Sequence, residues 1–365
     1  MERKNCYFIS FILLIVVWLA GCDSYAEPSE LPSVPSAAEQ DHTLEEDVTV
    51  IRTLKIGLSM DTLVEERWEK DRDMFKEAVE ALGAEVEVKA ANGNDALQIA
   101  QAETLISQGV DLLVLVPHNA EAAATIVGKA QMAGIPVISY DRLVKNANID
   151  LYISFDNEKV GELQAEAITA LVPEGKYVYI GGASTDNNAH LLKEGVYNVL
   201  QPFIERGDIT VVYDQWTEAW MPANAKQNMQ AALIANDNDI DAVIAANDAT
   251  AGGVIEALAE QGLAGKVPVA GQDAELAGLQ HIVNGEQAMT VYKSIKSLTE
   301  QAAEIAVRMA SGEVIETDTT INNGKKDVPT VFLTPVAVDK TNIEETIIAD
   351  GFHRAEDIYH GLPNK

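Results

Sequence analysis

The chain has 365 residues, enough for two α/β domains of ordinary size. Acidic residues outnumber basic ones 57 to 26, a net charge of −31, and no run of Lys and Arg makes a basic face, so phosphate backbones and anionic lipid are repelled rather than bound. Both cysteines, Cys6 and Cys22, fall at the start of the chain, which leaves the rest without a thiol for a disulfide, a thiolate metal site or a Cys nucleophile.

The chain opens with Arg3 and Lys4, followed by an almost unbroken apolar run over 8–19 and then Leu19-Ala20-Gly21-Cys22. The run is short of the roughly 20 residues a membrane span needs. A basic start, an apolar core and small residues before a cut site describe an export signal. A Cys directly after Leu-Ala-Gly resembles the lipobox of bacterial lipoproteins, which implies cleavage after 1–21 and acylation of Cys22. Glu2, Arg3 and Lys4 carry a net charge of +1, so the mature chain would stand at −32. Residues 22–52 then read as a disordered tether. Pro28, Pro32 and Pro35 alternate with Ser29, Ser33 and Ser36, acidic residues follow, and no hydrophobic period offsets the ordering entropy. Such a tether spans about 30 Å. The protein is therefore expected outside the cytoplasm, anchored to the outer face of the cell membrane by lipid.

From residue 54 short β-rich runs alternate with helical spacing. A strand at 54–59 precedes a helix at 65–82 that stops at Gly83. A strand at 84–89 and a helix at 96–108 follow, then a fully apolar strand at 112–116, as expected when both faces are covered. A helix at 120–133 leads to a strand at 136–140. The rhythm restarts with strands at 151–155, 177–180, 209–213, 242–246 and 267–270, separated by helices at 159–171, 190–204, 223–235 and 253–261. Strand–helix alternation predicts parallel sheets wound on both sides, and ten or more strands exceed one sheet's usual size. The expected fold class is α/β, with two Rossmann-like doubly wound lobes. One lobe would hold 53–155 plus about 294–323 and the other 156–293 plus about 324–360, with a hinge near 153–157.

In open parallel sheets ligands sit at the carboxyl ends of the strands. Seven of those ends carry Asp, Asn, Arg, Lys or Trp: Arg67-Trp68, Asp141-Arg142, Asp186 to Asn188, Gln215-Trp216 with Trp220, Asn247-Asp248, Gln272-Asp273 and Lys293. All three tryptophans beyond the signal are among them. The set suits a free sugar, because carboxylates and amides match hydroxyls that both donate and accept. Arg and Lys add charge-assisted donors, and a flat ring packs on the C–H face. Any one of these residues could equally cap a helix or make a turn.

Long segments carry a family resemblance over 54–353: ERWEKDRDMF (66–75), ANGN (91–94), YDR (140–142), YISFDNEKVGELQAEA (152–167), GGASTDNNA (181–189), DQW (214–216), NDATAGG (247–253), GQDAELAG (271–278), MTVYK (289–293) and DGFH (350–353). On these the chain resembles the D-xylose-binding proteins of bacterial sugar ABC transporters, within the type I periplasmic-binding superfamily. The resemblance implies two lobes joined by a three-stranded hinge and closing on one sugar. It implies sugar contacts at Arg67, Trp68, Asp141, Arg142, Asp186, Asn188, Trp220, Asn247, Asp273 and Lys293, with Trp68 and Trp220 on the two sugar faces. Trp216 is assigned to packing, and Asp248 and Gln272 to support. It further implies a permease as partner, with a chemotaxis receptor as a second possible reader of the closed form, a monomeric state, and neither cofactor nor metal. Ribose, glucose or galactose are the alternative ligands.

Rival readings are weaker. Asp141 and Asp273 as a glycosidase pair would need one good general acid, whereas Arg and Lys neighbours favour ionised carboxylates. No Gly-rich dinucleotide loop follows the first strand. A sugar-responsive repressor would need a DNA-binding headpiece where this chain has a signal and an acidic tether. The run from Asp237 to Asp241 resembles the start of an EF-hand loop, but Ala242 stands where Gly is required, so a solvated turn is expected.

Overall fold

The computed structural model describes residues 52–360. The signal segment 1–21, Cys22 and all of the expected tether except Arg52 lie outside the described residues. The chain alternates β1 (Lys55–Met60), α1 (Glu66–Ala81), β2 (Glu85–Ala90), α2 (Asp95–Ser107), β3 (Leu112–Leu115), α3 (Ala124–Met132), β4 (Val137–Tyr140) and β5 (Leu151–Phe155). It continues through α4 (Asn157–Leu171), β6 (Gly175–Gly181), α5 (Asn187–Arg206), β7 (Ile209–Trp216), α6 (Pro222–Ala235), β8 (Ala242–Ala245), α7 (Asp248–Glu260), β9 (Val269–Ala270), α8 (Leu276–Asn284) and β10 (Thr290–Tyr292). The last elements are α9 (Ile295–Ala310), β11 (Thr319–Asn322), β12 (Asp327–Leu333), β13 (Val336–Val338) and α10 (Ala355–Ile358).

Two sheets result, in the doubly wound α/β architecture expected. The first has the order β11-β12-β5-β4-β3-β1-β2 and is parallel except for β11. The second has the order β7-β6-β8-β9, all parallel. A single bridge from Ala270 to Met289 leads on to the antiparallel pair β10-β13. Alternation along each strand feeds a core on each face. In β3, Leu112 and Val114 point to the core shared with α1 and α9, while Leu113 and Leu115 point to the core under α2 and α3. In β6, Tyr177 and Tyr179 face α4 and α5, and Val178 and Ile180 face α6 and α7. Helices α4 and α5 cross so closely that a Cβ on Gly161 would lie 2.0 Å from the Leu192 carbonyl oxygen.

The chain passes between the lobes three times: at Asp156, at 293–294 and at 334–335. The third passage lies later than the expected boundary near 324. Gly324, with φ of 90°, closes a hairpin from β11 to β12, and β12 pairs with β5 from Thr330↔Tyr152 to Leu333↔Phe155. Residues 327–333 therefore belong to the first lobe. The remainder packs on the second, with Ile343, Ile347 and Ile358 against Leu279 and Ile282. Among the described residues no helix is long and apolar enough to cross a membrane.

Candidate functional site

The carboxyl ends of both sheets face one another across a cavity of about 330 Å³. All ten candidate residues line it, joined by Glu65, Asn157 and Gln272.

From the first lobe, β1 leads into α1, whose buried face carries Arg67, Trp68 and Asp71. Arg67 is buried and grips three carboxylates: Nε donates to Asp71 (3.2 Å), Nη2 to Asp141 (2.9 Å) and Nη1 to Asp273 (3.1 Å). Those neighbours hold its guanidinium well above the ordinary value despite burial. The Arg67 and Arg142 guanidinium carbons lie 4.3 and 5.0 Å from the Trp68 ring centre, within cation–π range. Asp141, just after β4, has a left-handed backbone with φ of 59°. Its N–H donates to the Ile153 carbonyl (2.8 Å), and its own carbonyl accepts from Ser154 Oγ (2.6 Å) and Tyr152 OH (2.9 Å). Burial raises the Asp141 carboxyl, but the charges of Arg67, Lys293 and Arg142 more than offset it and hold it below the ordinary value. Arg142 bridges Asp61 (2.5 Å) and Asp186 (2.8 Å).

From the second lobe, Asp186 caps α5 by accepting from the Asn188 N–H (2.9 Å), and Asn188 Nδ2 donates back to Asp141 Oδ1 (3.2 Å). Asn247 caps α7 through a capping box with Thr250 and lines the cavity as well, so capping and site duty fall on one residue. Asp273 follows β9 with φ of 90° and its N–H on the Val291 carbonyl (2.8 Å); its Oδ1 also takes Lys293 Nζ at 2.8 Å. Behind that loop Asp248 accepts from Gln287 (2.7 Å), Thr290 (2.9 Å) and the Glu275 N–H (3.0 Å). Burial without a cationic partner pushes Asp248 up to about 8. Trp220 has φ of 57°, and its ring lies so near Gly182 that a Cβ there would sit 2.1 Å from it. Three contacts thus cross between lobes at the cavity: Arg67 to Asp273, Arg142 to Asp186 and Asn188 to Asp141.

Sequence reasoning missed Glu65 and Asn157 and gave Gln272 only a supporting part. Glu65 is the last residue before α1, where it reads as a helix-start acid. Asn157 lies in the first passage between lobes and donates to Ser154 Oγ and the Phe155 carbonyl, a position that only the three-dimensional crossing brings to the cavity. Trp216 is outside the lining, packed against His190 at 4.9 Å between ring centres. In the acidic run near 240, Asp239 pairs with Lys176 (2.5 Å) and Asp241 accepts the Lys176 N–H (2.7 Å). Among the described residues no three His, Cys, Asp or Glu side chains cluster as a metal would need.

Two doubly wound lobes closed around a polar cavity define a solute-binding protein. Residues 56–313 match the family described as "Periplasmic binding protein domain", and the chain belongs to that family. It is 54% identical to the D-xylose-binding periplasmic protein of Haemophilus influenzae, over 85% of this chain and 93% of that protein. It is 52% identical to the D-xylose-binding periplasmic protein of Escherichia coli, over 84% and 93%. Among solved structures, a carbohydrate transporter solute-binding protein from Chloroflexus aurantiacus in complex with D-glucose superposes with a TM-score of 0.78 at 33% identity, covering 84% of this chain and 98% of that one. The family resemblance read from 54–353 is thus confirmed.

Proposed function

We propose that this protein captures D-xylose between its lobes and delivers it to an ABC transporter permease. One observation carries the reading: three buried polar atoms on the cavity wall, Glu65 Oε2, Gln272 Oε1 and Trp220 Nε1, have no partner within the protein. Two acceptors and one donor without partners are costly in a dry site, and a polyol's hydroxyls satisfy both kinds. The ten candidate residues supply the other contacts, and the Trp68 and Trp220 rings the apolar faces. D-xylose is favoured over other aldoses because relatives of 54% and 52% identity are named for it. Titration calorimetry with a panel of free pentoses and hexoses tests this. Xylose binding tightest at one site per chain is the expected result, and tighter binding of ribose, glucose or galactose replaces the ligand. The protein should turn nothing over, and product formed from xylose or a xyloside under binding conditions would refute a purely binding role.

The second part of the proposal is location. Cys22 after Leu19-Ala20-Gly21 supports a lipid anchor on the outer face of the membrane. Cys22→Ala should leave xylose affinity intact and release the protein from the membrane fraction. A variant that stays in that fraction refutes cleavage and acylation at Cys22.

A further inference from the structure

The loop over 271–278 leaves β9, presents Asp273 to the cavity and enters α8. It turns through two consecutive left-handed residues that carry side chains, Asp273 (φ 90°) and Ala274 (φ 51°), so its course needs support from outside. Residues 289–291 give part of it: the Gly271 and Asp273 N–H groups donate to the Met289 and Val291 carbonyls (3.0 and 2.8 Å). Asp248 adds support from behind. Its N–H donates to the Gln272 carbonyl (2.9 Å), and its Oδ2 accepts from the Glu275 N–H (3.0 Å). The same oxygen accepts from Thr290 Oγ1 (2.9 Å), which in turn accepts from the Ala274 N–H (3.2 Å). Gln287 Nε2 donates to the other oxygen, Oδ1 (2.7 Å). The fit is close at both ends of the loop. A Cβ on Gly271 would lie 2.1 Å from Asp248 Oδ1, and one on Gly278 2.4 Å from Oδ2, so the loop is wrapped on this carboxyl. An acid in the first turn of a helix ordinarily serves the helix dipole from the surface. Asp248 is 3% exposed and directs its oxygens to the loop and the residues that hold it. A buried carboxyl with no cation beside it is a costly way to begin a helix, and the bonds it accepts offset that cost.

We propose that Asp248 is a positioning residue for sugar binding: together with Thr290 and Gln287 it fixes the loop that brings Asp273 to Arg67, and so sets how firmly the lobes close on the ligand. This rests on the cavity being a sugar site. Asp273 Oδ1 lies 3.1 Å from Arg67 Nη1 across the lobes, near the long end of a good hydrogen bond, so a loop displaced by a few tenths of an ångström weakens that contact.

The experiment is calorimetry with D-xylose on the wild type, Asp248→Ala, Asp248→Asn and Thr290→Val, with Thr290→Val repeated in an Asp273→Asn background. Thr290→Val removes the hydroxyl and keeps the shape, so it decides the matter even if Asp248→Ala does not fold. Asp248 is pushed up to about 8 and is neutral at about pH 7, so Asn reproduces both its shape and its lack of charge. Affinity should fall about tenfold in Asp248→Ala and about three- to tenfold in Thr290→Val, and stay within about twofold of wild type in Asp248→Asn. In the Asp273→Asn background Thr290→Val should change affinity by less than about twofold, because the carboxylate that it helps to place is gone. Equal losses from Thr290→Val in both backgrounds overturn the positioning role and leave the sugar reading standing. Wild-type affinity in Thr290→Val overturns it too, as does a loss in Asp248→Asn as large as that in Asp248→Ala. If the wild type does not bind xylose, the sugar reading fails and this inference falls with it.

Discussion

Asp273→Asn is the most informative substitution, because one oxygen of Asp273 ties the lobes together. Asp273 Oδ1 accepts from Arg67 Nη1 of the first lobe at 3.1 Å and from Lys293 Nζ at 2.8 Å, and all three side chains are buried. Hydrogen bonds to charged groups contribute about 1.5–3 kcal/mol each, so two such bonds amount to about 3–6 kcal/mol. Only the Arg67 bond is made on closure, so a loss of up to about 1.5–3 kcal/mol is expected in binding, or roughly 10- to 150-fold in xylose affinity. The Arg67 bond forms only when the lobes are closed, so the loss should appear mainly in binding. Calorimetry gives the affinity, and thermal melts with and without sugar separate closure from folding. Melting without sugar should fall modestly through the Lys293 contact, while the upward shift on adding sugar should shrink much more. Affinity within about threefold of wild type in a folded variant would refute the idea that Asp273 couples closure to ligand.

Trp68→Ala and Trp220→Ala should each weaken xylose binding by about ten- to a hundredfold in calorimetry; unchanged affinity in both would show that the sugar does not lie against either ring. Gly182→Ala should weaken binding by about tenfold, because the added Cβ displaces the Trp220 ring, and wild-type affinity would show that ring position is not required. Affinity should fall as the pH drops below the ordinary imidazole range, through His353. Its Nε2 contacts the Ala274 carbonyl within the second lobe (3.1 Å), and Lys70 Nζ approaches the ring from the first lobe (3.3 Å to Nε2). Burial and then the Lys70 charge lower its pKa from 6.5, against weaker raising by Glu66, the Ala274 carbonyl and Asp357. A depressed imidazole favours the closed form above its ordinary value, and that stability is lost as pH falls through the lowered value. His353→Gln should flatten the profile relative to wild type, and an unchanged profile would place the effect elsewhere.

The alternation of strand and helix was readable because each strand's two faces feed two cores, so β3 reads as Leu-Leu-Val-Leu with no polar interruption. Strand ends were readable for the same reason: polar residues appear abruptly after Tyr140, Ala246 and Ala270. What was not readable depends on long-range pairing. Residues 327–333 alternate like any edge strand, and nothing local says that they pair with β5, 178 residues earlier in the register Leu333↔Phe155 to Thr330↔Tyr152, rather than with the second sheet. Helix α7 starts at Asp248 and not at Gly253, because the Asn247–Thr250 capping box outweighs the poor helix propensity of Gly252 and Gly253. Glu65 was passed over because an acid before a helix is what the helix dipole favours, and only its missing partner distinguishes it.

Backbone strain and charge pairing at the cavity have a common cause. Asp141, Trp220 and Asp273 all have positive φ, a conformation that costs a residue with a side chain about 1–3 kcal/mol. Glycine would relieve that cost at each position, but it would delete the carboxylate or ring that faces the cavity. The strain is held by bonds that do not involve a ligand: Asp141 by Ile153, Tyr152 and Ser154, and Asp273 by Val291. The carboxylates are in turn fixed by Arg67, Arg142 and Lys293, so a neutral ligand meets oriented groups rather than mobile charges. A protein with a net charge of −31 can therefore bind an uncharged polyol without a counter-ion, because the cations that its cavity needs are already inside it.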